Sequence, residues 1–502
     1  MQAQGKEAVS GTCYQRHRPE ETLLYALIEQ HYPALVDHLA EQGKSLPDYV
    51  QEEFEAYLKC GRLEHGFLQV KCESCHLERL VAFSCKKRGF CPSCGARRMA
   101  ETAALLSDEV FPAVPLRQWV ISFPFALRYL FASHPQAMGK VLGIIYRTIA
   151  THLARKAGFR SKDVTTGAVT LIQRFGSALN LNIHFHLLVI DGVYVPRDSA
   201  PPLFRRVKAP DKTELEVLVQ HISQRVGRCL ERQGLLIRDA GSDYLNLPLP
   251  EDHDPMAQLL GSSVTYRVAV GPQQGKKAFM LQTLTPLTSP DLGSERVAKC
   301  AGFSLHAGVS CEAHQKEKRE RLCRYISRPP VAVKRLSLSR HGKVVYMLKT
   351  PYRDGTTQVA FEPIDFIARL AALVPRPRVN LTRYHGILAP NHRWRGIITP
   401  AKRGKGAKRK KETDEKTPAE RHASMTWAQR LKRVFNIDIE TCPRCGGPVK
   451  VIACIEEQEV IDRILAHLKD KEARAPKPPT LVPPPRAPPI LPSPALTAVT
   501  PA

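Results

Sequence analysis

In the stretch NLNIHFHLLVIDG, Asn180 to Gly192, two histidines stand one residue apart in an apolar run. Residues i and i+2 of a strand share a face. His184 and His186 therefore project together with Leu188 and Ile190, while Phe185, Leu187 and Val189 face the other way. Two neutral imidazoles on an apolar strand need polar partners. Either a divalent cation supplies them, since imidazole suits several metals, or backbone groups and Asn180 do, in a core pair. A cation held by two histidines keeps open positions and can polarise a phosphate oxygen. Such a mechanism also needs a nucleophile.

The cysteines offer a second chemistry. Seven of the 14 lie between Cys13 and Cys94. In a long chain, clustered cysteines point to metal before disulfides. Cys72 and Cys75 form one C-x-x-C turn and Cys91 and Cys94 a second. Two such turns complete a tetrahedral zinc site, with Gly95 free to take positive φ at the end of its knuckle. A closed four-sulfur site is structural, with no open position for chemistry. Cys60 and Cys85 read first as reduced core cysteines, although either can replace one of the four. Cys442 and Cys445, in TCPRCGG, are half a zinc site or a bare turn, because only Cys454 follows nearby.

The elements that must position these residues follow from periodicity. Residues 20–58 read as helices. A helix runs from 100 through AETAALLSDEVF, then PLRQWVISFPF reads as a strand and 129–159 as helix again. AVTLIQRF (168–175) and LNIHFHLLVI (181–190) form a hairpin with a turn between Ser177 and Asn180. YRVAV and AFMLQTL, around GPQQGKK, read as another hairpin. KEKRERLCRYIS reads as a helix stopped by Pro329 and Pro330, and LSLSR-HGK-VVYMLK as strand, turn, strand. Near the C-terminus a helix is expected at 425–435 and another over EEQEVIDRILAHL.

Composition bounds the partner. Lys and Arg number 74 against 48 Asp and Glu, a net charge of +26, which favours a polyanion such as nucleic acid. There is no run of about 18 uncharged apolar residues, so no membrane span is expected. The first residues lack an apolar signal segment, and the expected location is the cytoplasm. The stretch at 401–411 carries seven Lys or Arg in its last ten residues and reads as a phosphate-seeking linker. Residues 476–502 hold 11 prolines and read as a disordered tail.

Five stretches in order, FSCKKRGFCPSCGARRMAE, RQWVISFPFALRYL, QRFGSALNLNIHFHLLVIDGVY, RLCRYISRPP and RYHGILAPNHRWR, resemble the rolling-circle transposases of the insertion-sequence-ninety-one family. These belong to the HUH superfamily of metal-dependent tyrosine nucleases. The resemblance spans residues 15 to 470. It implies an α+β fold with an HUH endonuclease-like core, a central antiparallel sheet bearing the histidines. A helical and zinc-knuckle N-terminal domain precedes that core and a small C-terminal knuckle unit follows it. The family's histidine–apolar–histidine motif falls on His184, Phe185 and His186, and its nucleophile on Tyr325.

The implied reaction is attack by Tyr325 on single-stranded DNA at transposon ends and target. It leaves a covalent 5′-phosphotyrosine, with Mg²⁺ or Mn²⁺ at the histidines and Zn²⁺ in a structural role. From the residues alone, Leu322, Tyr325 and Ile326 share a helical face and read as core; Tyr346, Tyr352 and Tyr384 are lesser candidates. Founding members carry two tyrosines four residues apart, but here the earlier position is Arg321, which resembles the single-tyrosine branch. Many relatives have a further histidine where this chain has Asn182. The motif leaves the third metal ligand open; His306 is a candidate, with Gln173 and Asp191 as rivals. Arg324, Arg328, Lys334 and Arg335 beside Tyr325, and Arg383, His385, His392 and Arg393 further on, can hold phosphates.

The expected domains are a helical region at 1–58, a zinc-binding domain at 59–99 and a catalytic domain at 100–395 with an insertion at about 197–300. A basic linker at 396–425, the knuckle unit at 426–470 and a tail at 471–502 follow. An oligomer is left open. The rival readings are a non-catalytic zinc-finger DNA-binding protein, for which His184 is dispensable, and a plasmid relaxase or replication initiator of the same superfamily.

Overall fold

The computed structural model describes residues 12–13, 18–239, 243–247, 254–284, 296–402, 437–438 and 440–474. The expected helix at 425–435, the basic stretch beyond 402 and the proline-rich tail lie outside the described residues. Among these residues no helix is long and apolar enough to cross a membrane.

The chain opens with two helices, α1 (Leu23–Ala40) and α2 (Asp48–Lys59). The side chain of Thr22 accepts from the Tyr25 N–H and so caps α1. Tyr32 stacks on Phe54 at 4.6 Å between ring centroids, and Phe54 meets Phe90 at 4.7 Å. These aromatic contacts fasten the cysteine-rich loop to the helices. A ribbon of β1 (Phe67–Cys72) and β2 (Glu78–Ala82) follows, then α3 (Pro92–Leu105). That helix starts well before residue 100, because Pro92 sits at its first position, where a missing N–H costs nothing. Gly95 lies inside α3 and does not take positive φ. Its reason is space: a Cβ there would stand 2.5 Å from the Cβ of Pro329.

The centre is a six-stranded sheet, antiparallel throughout. In spatial order its strands are β6 (Val297–Cys300), β7 (Phe303–Cys311), β3 (Leu116–Ser122), β5 (Leu181–Ile190), β4 (Gly167–Phe175) and β8 (Thr382–Gly386). The expected hairpin of β4 and β5 closes with the Gly176 N–H donating to the Asn180 carbonyl. Strict alternation sorts the sheet's two faces. Trp119, Ile121, Phe185, Leu187 and Leu305 point toward the layer of α4 (Phe125–Ser133), α5 (Pro135–Lys156), α6 (Lys212–Arg232) and α7 (Met256–Val264). Phe185 meets Phe123 edge-on at 4.9 Å and is fully buried; such a ring contributes about 3–5 kcal/mol.

On the other face, Val169, Leu171, Leu188 and Ile190 pack against Leu106, Phe111, Leu322, Cys323 and Ile326. The last three belong to α8 (Lys316–Ile326), the helix expected there. It ends before Pro329 and Pro330, which cannot continue it.

The hairpin expected around GPQQGKK is cut short: the Val268 N–H donates to the Lys276 carbonyl and the Ala278 N–H to the Tyr266 carbonyl, and the ladder goes no further. Arg267 and Lys277 make a single bridge, and Phe279–Gln282 pairs with Thr356–Phe361 instead. The backbone of 267–269 finds partners on α9 (Pro363–Leu373): Asp365 accepts from the Ala269 N–H at 2.7 Å, and Arg369 donates to the Arg267 carbonyl. With those groups satisfied, no second strand is needed. The expected pair at 336–347 does form, as Leu336–Leu338 against Val344–Met347. Near the C-terminus, β9 (Val449–Ile455) pairs antiparallel with β1, and α10 (Gln458–Arg474) follows.

Candidate active site and cysteine clusters

The sheet register sets the site. Gln173, His184, Ser122 and Ser304 stand in one row across β4, β5, β3 and β7; Leu171, His186, Val120 and His306 stand in the next. Directly paired residues share a face, so both histidines look toward α8. Together with Asn182, Arg321 and Tyr325 they line a cleft of about 650 Å³.

The two imidazole centroids lie 4.9 Å apart. His184 Nδ1 is 2.8 Å from the Asn182 carbonyl oxygen. A carbonyl only accepts, so this nitrogen carries the proton and Nε2 keeps its lone pair. The Gln118 amide nitrogen lies 2.7 Å from His186 Nδ1. Turned about, the same amide accepts from Nδ1–H through its oxygen and leaves His186 Nε2 as a bare lone pair. His186 Nε2, Gln173 Oε1 and Asn182 Oδ1 are all buried without a hydrogen-bond partner. The two orphaned amide oxygens, joined by His186 Nε2 in that tautomer, suit a cation, which needs lone pairs and supplies none. Gln118→Leu removes the orienting partner of His186; Mn²⁺ affinity measured by calorimetry should fall about 10–100-fold, and the unpaired buried nitrogen should lower stability by about 1–3 kcal/mol.

His184 opens at one edge to the cleft, yet protein surrounds it closely. Burial pushes its pKa down to about 4, aided by Arg328 and Arg128 and opposed by the Asn182 carbonyl. Burial, then His184, hold His186 well below the usual imidazole range. Both rings are therefore neutral at pH 7 and release no proton when a cation binds. Mn²⁺ affinity should stay flat as pH falls from 7.5 to about 5.5. An ordinary imidazole pair, titrating at about 6.5, would lose close to a hundredfold over that range. For stability the sign is the same in direction: the unfolded chain protonates His184 below about 6.5 and the folded chain does not until about 4, so stability is full above that window and declines through it.

Tyr325 is not a core residue: 42% of it is exposed, against 8% for Leu322 and 1% for Ile326. Its ring meets His186 edge-on at 6.1 Å between centroids. The Arg328 guanidinium lies 4.3 Å, and the Lys349 ammonium 4.9 Å, from its ring centre. Tyr346 is fully buried, the Tyr352 hydroxyl lies 3.1 Å from Ser177 Oγ, and Tyr384 lies under Arg395; none of these lines the cleft. Arg321, one turn before Tyr325, does line it. Arg324 pairs with Glu320 at 2.5 Å, and Arg383 donates to the Asn380 carbonyl from strand β8.

Of the candidate third ligands, His306 lines the cleft, but Val120 separates it from His186 across the sheet, and its ligand atoms are not grouped with the pair. Asp191 is engaged elsewhere: both of its oxygens accept from Arg117, at 3.1 and 2.7 Å. Gln173 donates its amide to the Ile326 carbonyl and keeps Oε1 free. Gln118 and Asn182 gave no signal as site residues, because glutamine and asparagine on a strand look like any polar edge.

The cysteines correct the expected ligand set. Cys72, Cys75, Cys91 and Cys94 do not meet. One cluster is Cys60, Cys85, Cys91 and Cys94; a second is Cys72, Cys75, Cys442 and Cys445, each with its sulfurs within 4.8 Å of one another. The physical reason is β1, which carries Cys72 away from Cys60 while Cys85 returns beside it: the Cys85 N–H donates to Cys60 Sγ at 3.3 Å. Cys91 caps α3 and Cys94 lies in its first turn, where the helix dipole favours thiolates. In the first cluster, sulfur–sulfur distances of 3.4–3.8 Å match the edge of a ZnS₄ tetrahedron, about 3.8 Å from Zn–S bonds of ~2.3 Å.

Residues 167–395, which include the histidine pair and Tyr325, match the family model described as a putative transposase. Residues 27–123, which include the whole first cysteine cluster, match that described as a transposase zinc-binding domain. No curated protein and no solved structure matches the chain. Such a pairing of modules defines a DNA-processing enzyme, a transposase with a structural zinc region. Together the two matches support a transposase like those of the insertion-sequence-ninety-one family.

Proposed function

We propose that the protein cleaves and rejoins single-stranded DNA at the ends of a mobile element through a covalent 5′-phosphotyrosine on Tyr325, in rolling-circle transposition on an HUH-type core. The observation that carries this reading is the exposed Tyr325 ring facing the neutral imidazole pair across one cleft. His184 and His186, with Gln173 Oε1 or Asn182 Oδ1, would hold Mg²⁺ or Mn²⁺. When bound, such an ion polarises the scissile phosphate.

The chain's own residues do the rest. The Tyr325 oxygen attacks phosphorus as its proton departs; a Tyr–O–P bond forms, the bond from phosphorus to the 3′-oxygen breaks, and that oxygen takes up a proton. A phenol is a weak nucleophile until a nearby cation or base activates it; the Arg328 and Lys349 cations stand over the ring. Lys318 and Arg321 line the cleft as phosphate partners for the strand. One phosphodiester replaces another, so rejoining needs no ATP.

A second cavity, lined by Lys87, Arg88 and Arg98 from the zinc region and by Gln173 and Arg328 from the core, supports a DNA path between the two. Its basic character agrees with the charge of +26.

The test incubates the full-length protein with Mn²⁺ and labelled single-stranded DNA from its own element's ends, then looks for a covalent adduct on a denaturing gel. An adduct absent from His184→Ala supports the reading. Binding without any adduct favours a zinc-dependent DNA-binding protein, and an adduct only with a plasmid origin favours a replication initiator.

A further inference from the structure

The geometry points to a second zinc site, built from the two ends of the chain, which clasps the C-terminal segment to the N-terminal ribbon. It lies outside both family-matched regions on its C-terminal side and is independent of the tyrosine chemistry. Cys72 Sγ lies 3.5 Å from Cys445 Sγ, and Cys75 Sγ 3.5 Å from Cys442 Sγ, although the partners stand 373 and 367 residues apart. Those separations are near a ZnS₄ edge and far from a disulfide bond of about 2.05 Å.

The two knuckles are copies of one turn. The His76 N–H donates to the Cys72 carbonyl, and the Gly446 N–H to the Cys442 carbonyl. The Cys72 N–H donates to the Leu77 carbonyl, and the Cys442 N–H to the Gly447 carbonyl. His76 and Gly446 both take positive φ, 56° and 73°. A backbone N–H approaches a sulfur in each: Cys75 to Cys72 Sγ, and Gly447 to Cys445 Sγ. Two unrelated stretches that adopt the same turn, face to face with four sulfurs together, have a common cause in one tetrahedral ion. A non-glycine residue such as His76 in the left-handed region is uncommon, and the ligand geometry explains its presence.

The surroundings are arranged to match. The Glu73 N–H donates to the Pro448 carbonyl, and β9 continues directly into antiparallel pairing with β1, Val449 opposite Cys72. Four thiolates suit Zn²⁺ among common divalent ions. Cys454, one strand further on, is exposed and outside the cluster. The clasp therefore consists of one zinc ion and one strand pair, with α10 packed against residues 63–65 beside them.

Zinc per chain, measured on the full-length protein by mass spectrometry of the metal, should be two. Cys442→Ser with Cys445→Ser should reduce it to one while the first cluster keeps its ion. Cys454→Ser should leave two. Cys445→His, which preserves a tetrahedral ligand set, should restore the second ion where serine does not. A protease site placed in 410–430 provides the second readout: after cleavage the C-terminal piece should stay attached to the remainder and separate on chelation. One zinc in wild type, two in the double serine variant, or a cleaved piece that stays attached after zinc is stripped would overturn the clasp.

Discussion

Tyr325→Phe should abolish the covalent DNA adduct, a loss of at least about 10⁴-fold in strand cleavage, while DNA affinity stays within about twofold of wild type. The reasoning is local. The side chain is exposed on α8, so removing its hydroxyl creates no cavity and leaves no buried partner unsatisfied. The contacts of Arg328 and Lys349 are with the ring face, which phenylalanine keeps. Only the attacking oxygen is lost. His184→Ala should also suppress the adduct, but for a different reason, and the two separate by metal titration: Tyr325→Phe retains Mn²⁺ binding, and His184→Ala does not. An adduct that survives in Tyr325→Phe would assign the chemistry to another tyrosine.

Cys94→Ser should remove one zinc ion and unfold the N-terminal region. A structural zinc site contributes on the order of 10–16 kcal/mol in small zinc-dependent folds, comparable with the whole stability of a domain at about 5–15 kcal/mol. Cys94 is buried, its sulfur lies 3.8 Å from Cys60 and 3.4 Å from Cys85, and its helix packs on α8 beside Pro329. Hydrogen exchange should show lost protection at α1–α3, with the far side of the central sheet at α5 and α6 retaining it. Unchanged zinc content and unchanged exchange would remove this cluster from the structural account.

The histidine pair was readable in sequence because its environment is local. A ten-residue strand with two-residue alternation places both rings on one face whatever the rest of the chain does. The helix of Tyr325 was readable too, but its burial was not: Leu322 and Ile326 pack on the sheet, and Tyr325 sits at the edge of that face, over the open cleft. The misread ligand set has another origin. Spacing within a knuckle is local, whereas which knuckles share an ion depends on where β1 leads, and the true partners are more than 360 residues apart. The shortened hairpin at 266–284 followed the same logic. Its apolar residues suit a strand, but Asp365 and Arg369, nearly a hundred residues later, take its backbone groups. The six-stranded sheet mixes strands from 116 to 386, and its order is set by long-range packing that periodicity does not encode.

The clasp also gives the molecule a schedule. Cys72 and Cys75 leave the ribosome early, and Cys442 and Cys445 follow nearly 370 residues later, a delay of roughly 20–75 s at translation rates of about 5–20 residues per second. For that interval the first knuckle has two thiolates and no partners, while the strands of the central sheet and the Tyr325 helix are being made. The proposed clasp would thus close last, by residues synthesised after those that line the cleft, and each chain would pass through a state with its cleft assembled and its clasp still open.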